Sequence, residues 1–223
     1  MPHPMLELYG VHRSRATRNV WLALEAGIDL QIVPVELAGR VADPLAADAP
    51  LNTKSPAFLA INPMGGVPVL KDGDLVVSQS LAINLHLARA YGGDLGPRDL
   101  TEAAQIDQWT LFAATDVEAH TLRIQTLVGK GATDDALAEA AEKYARPLTA
   151  LEGYLADHSY LVGDRFTVAD INLCEILRYA TAMKGAYAPY PATQAYLARQ
   201  QARPAFKQMW ALREAEGRAA AGH

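Results

Sequence analysis

The sequence predicts an α/β N-terminal half followed by an all-α C-terminal half. Up to residue 90, short apolar runs of strand length alternate with helical patterns, whereas only helical patterns follow residue 100. The segment YGGDLGPRD, residues 91–99, lies between them and carries three glycines and a proline, a composition typical of a linker. We therefore predict a first domain at 1–90, a linker at 91–100 and a helical domain at 101–223.

The chain opens with a strand–helix–strand pattern. Residues 5–9 alternate as a short strand, and RNVWLALEAGI at 18–28 follows with an apolar helical face made of Val20, Trp21, Leu24 and Ile28. Gly27 is a plausible C-cap for that helix, and DLQIVPVEL at 29–37 is a second strand. A crossover helix between two strands predicts that they pair in parallel.

A strand–strand–helix pattern completes the first half. Strands are predicted at 67–70 and 75–77, and Asp72-Gly73 between them is a strong hairpin signal. The segment that begins at Ser80 is predicted to be a helix. The preceding residues 38–57 lack periodicity, and we expect a long loop of functional importance there. The predicted order of elements is βαβ-ββα.

The helical half carries one clear amphipathic stripe and one clear helix start. The stripe recurs at three- and four-residue spacing over 137–155. Thr167 followed by Asp170 resembles a capping box, which predicts a buried structural role for Asp170 rather than a catalytic one. We expect the C-terminal EAEGRAAAGH to be a frayed tail.

Composition argues against several classes of function. The net charge of -5 and the scattered Lys and Arg residues argue against a nucleic-acid partner. The one cysteine, Cys174, excludes an internal disulfide, and no Cys or His cluster has the spacing of a metal site. No apolar run approaches the roughly 18 residues of a membrane span, and the N-terminus lacks the pattern of a signal peptide. We expect a cytoplasmic protein without membrane association or bound metal.

The sequence resembles the cytosolic glutathione S-transferase superfamily. The segments that carry the resemblance are FLAINPMGGVPVL, SQSLAI and GDRFTVADINL, in the order in which that superfamily has them. The resemblance implies a thioredoxin-like N-terminal domain, a helical C-terminal domain, glutathione as co-substrate and a homodimer. We expect a bacterial-type, serine-activated member.

Pro68 lies inside an apolar strand pattern, where it removes a main-chain donor. Glutathione is an extended tripeptide, and extended peptides are held well by main-chain hydrogen bonds along an open strand edge. The resemblance implies that Pro68 is cis and that the main chain of Val67 binds the cysteinyl residue of glutathione. A trans proline on an edge strand is the alternative.

Ser80 opens a predicted helix, whose N-terminus attracts carboxylates. The resemblance assigns Ser80 to the γ-glutamyl end of glutathione, while a plain N-cap is the alternative role. Gln79 stands where the family commonly has Glu, so the means of holding the ammonium group is left open. Lys54 is a candidate for the glycyl carboxylate, with an ordinary solvated loop lysine as the alternative.

A residue in the loop before the first helix is expected to activate the thiol of glutathione. A free thiol has a pKa of about 8.5, and a donated hydrogen bond or a nearby cation lowers it. Ser14 is the best-placed hydroxyl, although it could instead cap the helix. Arg13 is the second candidate, because a shift of one in the alignment would give it that position. The absence of cysteine from this loop argues against thiol-transfer chemistry.

The activity implied by the resemblance is transfer of glutathione to a small hydrophobic electrophile. Candidate residues for contacting the electrophile are Val11, His12, Phe112 and Asp116. Peroxide reduction, isomerisation and dehalogenation would use the same glutathione site. A transferase-like binding module without catalysis is a further alternative, because a fold does not fix a function.

Overall fold

The computed structural model describes residues 5–221, and its first half contains a four-stranded mixed sheet. The strands are β1 (Leu6–Tyr9), β2 (Leu30–Val33), β3 (Val69–Asp72) and β4 (Leu75–Ser78), in the order β2-β1-β3-β4. β1 pairs in parallel with β2, with Leu8 opposite Ile32, whereas β1–β3 and β3–β4 are antiparallel. The predicted thioredoxin-like βαβ-ββα arrangement is confirmed.

Helix α1 (Thr17–Ala26) is the crossover between β1 and β2. It ends at Gly27, whose φ of 65° is the left-handed conformation that favours glycine at a C-cap. Its apolar face is fully buried at Trp21 and Leu22. Helix α2 (Pro56–Leu59) is short, and α3 (Ser80–Tyr91) follows β4 as predicted.

The hairpin between β3 and β4 is shifted by one residue from its prediction. Asp72 still pairs, opposite Leu75, so the two turn residues are Gly73 and Asp74 rather than Asp72 and Gly73. Gly73 takes a φ of 59°, which a two-residue hairpin turn requires. β3 begins at Val69 rather than Val67, because the peptide bond between Val67 and Pro68 is cis and Pro68 offers no main-chain donor.

The second half is helical throughout the residues that the structure describes. Its helices are α4 (Leu100–Phe112), α5 (Glu118–Gly129), α6 (Asp134–Asp157), α7 (Val168–Leu177) and α8 (Pro191–Gln201). A π-helical segment, Ala113–Val117, joins α4 to α5. Such segments are rare and are frequent at functional sites.

Asp170 is fully buried in the helical half, as its predicted structural role requires. Its carboxylate accepts hydrogen bonds from the main-chain N–H groups of Leu161 (3.0 Å) and Thr167 (2.8 Å) and from the hydroxyls of Thr167 (3.1 Å) and Tyr196 (2.8 Å). Burial raises the pKa of Asp170, although these four donors act in the opposite direction. Cys174 is also buried, and burial raises the pKa of its thiol well above the usual value.

The chain forms two compact units. One contains the residues up to Gly93 together with those from Ala205 onward, and the other is Asp94–Pro204. The first unit therefore includes the last helix, α9 (Pro204–Ala221). The expectation of a frayed tail from residue 214 is wrong up to Ala221, because α9 continues to that residue; residues 222 and 223 lie outside the described part. No helix within residues 5–221 is long and apolar enough to cross a membrane.

Candidate functional site

The loop between β1 and α1 is closed by the hydroxyl of Ser14. Ser14 Oγ donates to the carbonyl of Val11 at 2.6 Å and accepts from the N–H of Ala16 at 3.1 Å. Ala16 is the N-cap of α1, with no side-chain hydrogen bond, so neither Ser14 nor Thr17 caps the helix. Ser14 instead organises a turn over residues 11–16, and its proton points at a main-chain carbonyl.

This loop passes close to the cis peptide bond. A Cβ built on Gly10 would lie 3.7 Å from both the Cβ of Val67 and the Cα of Pro68. These are ordinary van der Waals distances, so the end of β1 lies close to the Val67–Pro68 segment. The predicted cis geometry is confirmed, and the loop with Ser14 therefore begins beside Val67 and Pro68.

Val67 offers an open main chain. Its side chain packs against a buried cluster that includes Tyr9 and Val69. Among residues 5–221, neither the N–H nor the C=O of Val67 forms a hydrogen bond. An extended peptide could pair with both groups in the manner of an added strand.

The first turn of α3 is tied to the first turn of α1. Arg18 Nη1 donates to Ser80 Oγ at 3.0 Å, and Asn19 Nδ2 donates to the carbonyl of Ser80 at 2.8 Å. Asn19 also donates to Asn84 Oδ1 at 2.7 Å, and Asn84 Nδ2 donates to the carbonyl of Arg18 at 3.2 Å. All four residues are buried. The network places a guanidinium directly at the N-terminus of α3.

Gln79, not Ser80, is the N-cap of α3. Its φ of 74° is uncommon for a residue other than glycine, and its side chain is exposed and forms no capping hydrogen bond. Such conformations cost about 1–3 kcal/mol and cluster at binding sites. Ser80 occupies the first helical position, so the alternative role of a plain N-cap is wrong.

Four other predicted site residues are Lys54, His12, Phe112 and Asp116. Lys54 is exposed, and its main-chain N–H donates to Asn52 Oδ1. His12 Nδ1 is buried and has no hydrogen-bond partner among the described residues. Phe112 packs against Trp109 with ring centroids 5.5 Å apart, and Asp116 is exposed in the π-helical segment. Phe112 and Asp116 belong to the second unit, whereas Lys54 and His12 belong to the first.

The described residues give no support for activation of the glutathione thiol by Tyr9 or by a metal ion. Tyr9 lies within β1, and burial together with the neighbouring Glu7 raises its pKa, which makes its hydroxyl a weaker acid. Among residues 5–221, no group of three or more His, Cys, Asp or Glu side chains could hold a metal ion.

Comparison with known proteins identifies the family. The glutathione S-transferase N-terminal domain matches residues 4–89 and the corresponding C-terminal domain matches residues 117–204. Glutathione S-transferase 3 of Zea mays is 36% identical over 221 residues, which cover 91% of each chain. The chain belongs to the glutathione S-transferase family.

Two solved transferase structures are similar along almost the whole chain. Glutathione S-transferase I from maize, in complex with an atrazine–glutathione conjugate, has a TM-score of 0.78 and 31% identity, covering 94% of this chain and 98% of that one. The theta-class enzyme of Xanthomonas axonopodis pv. citri with glutathione bound has a TM-score of 0.74 and 28% identity, covering 92% and 96%.

The expected bacterial-type, serine-activated class is not supported. The Zea mays protein is joined by relatives from Arabidopsis thaliana, Hyoscyamus muticus and Nicotiana tabacum, at 28% to 30% identity. These relatives of the chain are plant transferases of the phi type. The motifs used above are shared across the superfamily, so they could not separate one class from another.

Sequence reasoning missed Arg18, Asn19 and Asn84. The prediction for α1 rested on its apolar residues alone. No local sequence pattern indicates that Arg18 contacts a serine 62 positions away. A buried charge has to be paired, and the available signal was an arginine one turn before the buried apolar residues of α1.

Proposed function

We propose that this protein is a glutathione S-transferase that activates the thiol of glutathione for attack on a small hydrophobic electrophile. The observation that carries the proposal is the open main chain of Val67 at the cis bond to Pro68, beside the loop that holds Ser14. Membership of the transferase family supports the same conclusion.

Glutathione would bind to Val67 by its main chain. The cysteinyl residue of the tripeptide carries one N–H and one C=O, which complement the two groups of Val67 that are left open. Pairing of this kind fixes the direction of the peptide and brings its thiol toward the adjacent loop. Pro68 contributes by holding the turn that presents Val67.

The γ-glutamyl carboxylate would bind at the start of α3. The helix offers free N–H groups and a partial positive charge, and Ser80 adds a hydroxyl. Arg18 adds a full positive charge at 3.0 Å from that hydroxyl. Gln79 supplies an amide for the neighbouring ammonium group, with one acceptor oxygen in place of a carboxylate.

Ser14 would lower the pKa of the bound thiol by donating its proton to the sulfur. In the described state that proton is donated to the carbonyl of Val11, so the hydroxyl has to rotate when glutathione binds. Rotation about one side-chain bond is a small change, and the 3.1 Å hydrogen bond from the N–H of Ala16 to the oxygen supports this role. Arg13 is the second candidate, acting through its charge.

The remaining contacts rest on the sequence. We keep Lys54 as a candidate for the glycyl carboxylate, since its exposed side chain is available. Val11 and His12 in the first unit, and Phe112 and Asp116 in the second, are each proposed to contact the electrophile.

The protein is also proposed to be a cytoplasmic homodimer. Edge strand β4 leaves Leu75 and Val76 each 45% exposed, and such apolar side chains on an edge strand favour burial against a partner. Light scattering coupled to gel filtration would test the dimer, and a monomer of 24.0 kDa would contradict it.

Calorimetric titration with glutathione, followed by a transferase assay, tests the proposed function. We expect saturable binding and conjugation of an aryl halide that depends on glutathione. A panel that adds hydroperoxides and maleyl-type isomers would identify the reaction subtype. Binding without turnover of any substrate would favour a binding module, and the absence of binding would contradict both.

A further inference from the structure

The last helix of the chain is bonded to the loop that carries Ser14. The carboxylate of Glu216 in α9 accepts hydrogen bonds from two consecutive main-chain N–H groups, with Oε1 3.0 Å from the N of His12 and Oε2 2.6 Å from the N of Arg13. Hydrogen bonds from N–H groups to a carboxylate are charge-assisted and about twice as strong as neutral ones. One side chain therefore holds both amides that precede Ser14.

The carbonyls of the same two residues are also bonded by side chains from outside the loop. Arg213, one turn before Glu216 in α9, donates from Nη1 to the carbonyl of His12 at 2.9 Å. Arg40 donates from Nη2 to the carbonyl of Arg13 at 3.0 Å. The main chain at these positions is thus fixed on both its donor and its acceptor side.

Packing keeps α9 in place to make these contacts. Phe206 packs edge-on against Trp21 of α1, with ring centroids 5.0 Å apart, and Met209 is fully buried. Residues 206, 209, 213 and 216 recur at three- and four-residue spacing, so they lie on one face of the helix. The apolar end of that face anchors the helix and its polar end reaches the loop.

Ser14 is connected to this arrangement through the main chain. It follows Arg13 directly, and its hydroxyl bonds to Val11, which directly precedes His12. A shift of the two central residues would therefore move both the serine and the partner of its hydroxyl. A displacement of about 1 Å in a reacting group can cost on the order of 100-fold in rate.

We propose that Glu216 is a positioning residue for thiol activation: by binding the amides of His12 and Arg13, α9 fixes the loop in the form that presents Ser14 to the thiol of glutathione. This inference rests on the proposed function. It gives the C-terminal helix a part in the reaction through the loop, without contact between Glu216 and either substrate.

The test compares Glu216→Gln with Glu214→Gln. The first variant turns one acceptor into an NH₂ group that faces a main-chain N–H, so one of the two bonds is lost. The second removes the same charge from the same helix, but Glu214 is exposed, and within residues 5–221 it pairs only along α9, with Trp210 and Arg218. Both variants are measured as the full chain.

Two measurements are needed, hydrogen–deuterium exchange of the loop amides and steady-state kinetics. We expect Glu216→Gln to speed exchange at His12 and Arg13 by about tenfold or more and to lower kcat by about tenfold. The KM for glutathione should stay within about twofold, because Val67 and Ser80 bind the peptide independently of the loop. Glu214→Gln should match the wild type in amide exchange, in kcat and in the KM for glutathione.

The inference is overturned if the two variants behave alike, or if exchange speeds up while kcat is unchanged. Failure of the proposed function would look different, because the wild type itself would then neither bind nor conjugate glutathione. Should Glu216→Gln fail to fold, Glu216→Asp replaces it. That variant keeps the negative charge but shortens the side chain by one methylene group, so its carboxylate cannot reach both amides as Glu216 does. Unchanged exchange and kcat would likewise overturn the inference.

Discussion

Arg18 Nη1 donates a hydrogen bond to Ser80 Oγ across 3.0 Å, and both residues are buried. The bond joins the first turn of α1 to the first turn of α3, so these two helices share one polar junction. This junction places a permanent cation beside the position that we propose for the γ-glutamyl carboxylate.

Replacing Arg18 tests whether that cation contributes to binding. Hydrogen bonds that involve a charged group contribute about 1.5–3 kcal/mol, so Arg18→Met should raise the Kd for glutathione roughly tenfold or more. Arg15→Met is the matched control, because Arg15 is exposed and three positions earlier. Titration calorimetry measures both. Equal Kd values for glutathione in the two variants would contradict a role of Arg18 in binding.

Replacing Gln79 by Glu tests how the ammonium group is held. The side chain is exposed next to Ser80, so a carboxylate there would interact with the ammonium at a partly solvated position. Such pairs contribute about 0.2–1 kcal/mol, and the Kd for glutathione should fall about two- to fivefold. Gln105→Glu, at an exposed site in α4, should leave it unchanged. Weaker binding by Gln79→Glu would show that another group holds the ammonium.

Glu102 and Arg165 give a prediction for the pH dependence of stability. Arg165 donates to both carboxylate oxygens of Glu102, at 2.9 and 2.7 Å, and these hydrogen bonds are the main reason that the pKa of Glu102 lies below its usual value of 4.5. A carboxyl whose pKa is lowered by folding stabilises the folded state above its unfolded pKa. That stabilisation is lost as the pH falls through the folded pKa.

Glu102→Gln should therefore lower the free energy of unfolding by roughly 1–2 kcal/mol at pH 7. The difference from the wild type should shrink as the pH falls below 4.5. Urea unfolding at neutral and acidic pH measures it. Glu139→Gln is the control, because its pair with Lys143 is exposed and should contribute little. A difference for Glu102→Gln that persists at low pH would contradict the assignment to the ion pair.

Much of the first unit could be predicted from local patterns. β1, α1 with its cap at Gly27, β2 and α3 follow from apolar periodicity and glycine placement. The cis bond at Pro68 follows from the family resemblance that its segment carries, since local sequence alone also allows a trans bond. The hairpin turn was misplaced by one residue because Asp72-Gly73 and Gly73-Asp74 are both acceptable turn pairs. Only the register of β3 with β4 decides between them.

The contacts that complete the site could not be predicted in this way. Arg18 reaches Ser80 over 62 positions, and Glu216 reaches His12 over 204. No local pattern encodes such a separation. The end of the chain is rich in alanine and charged residues. This composition favours a helix but does not indicate which part of the fold that helix contacts. The expectation of a frayed tail failed because Phe206 and Met209 anchor α9 upstream of that segment.

The central claim is that Ser14 activates the thiol of glutathione bound at Val67, and a titration of the bound thiol tests it most directly. Thiolate absorbance is followed against pH in protein saturated with glutathione. The wild type should titrate below the value of about 8.5 for a free thiol, and Ser14→Ala should titrate at least about one pH unit higher than the wild type. A wild-type pKa equal to that of free glutathione, or no difference between the two proteins, would contradict the claim.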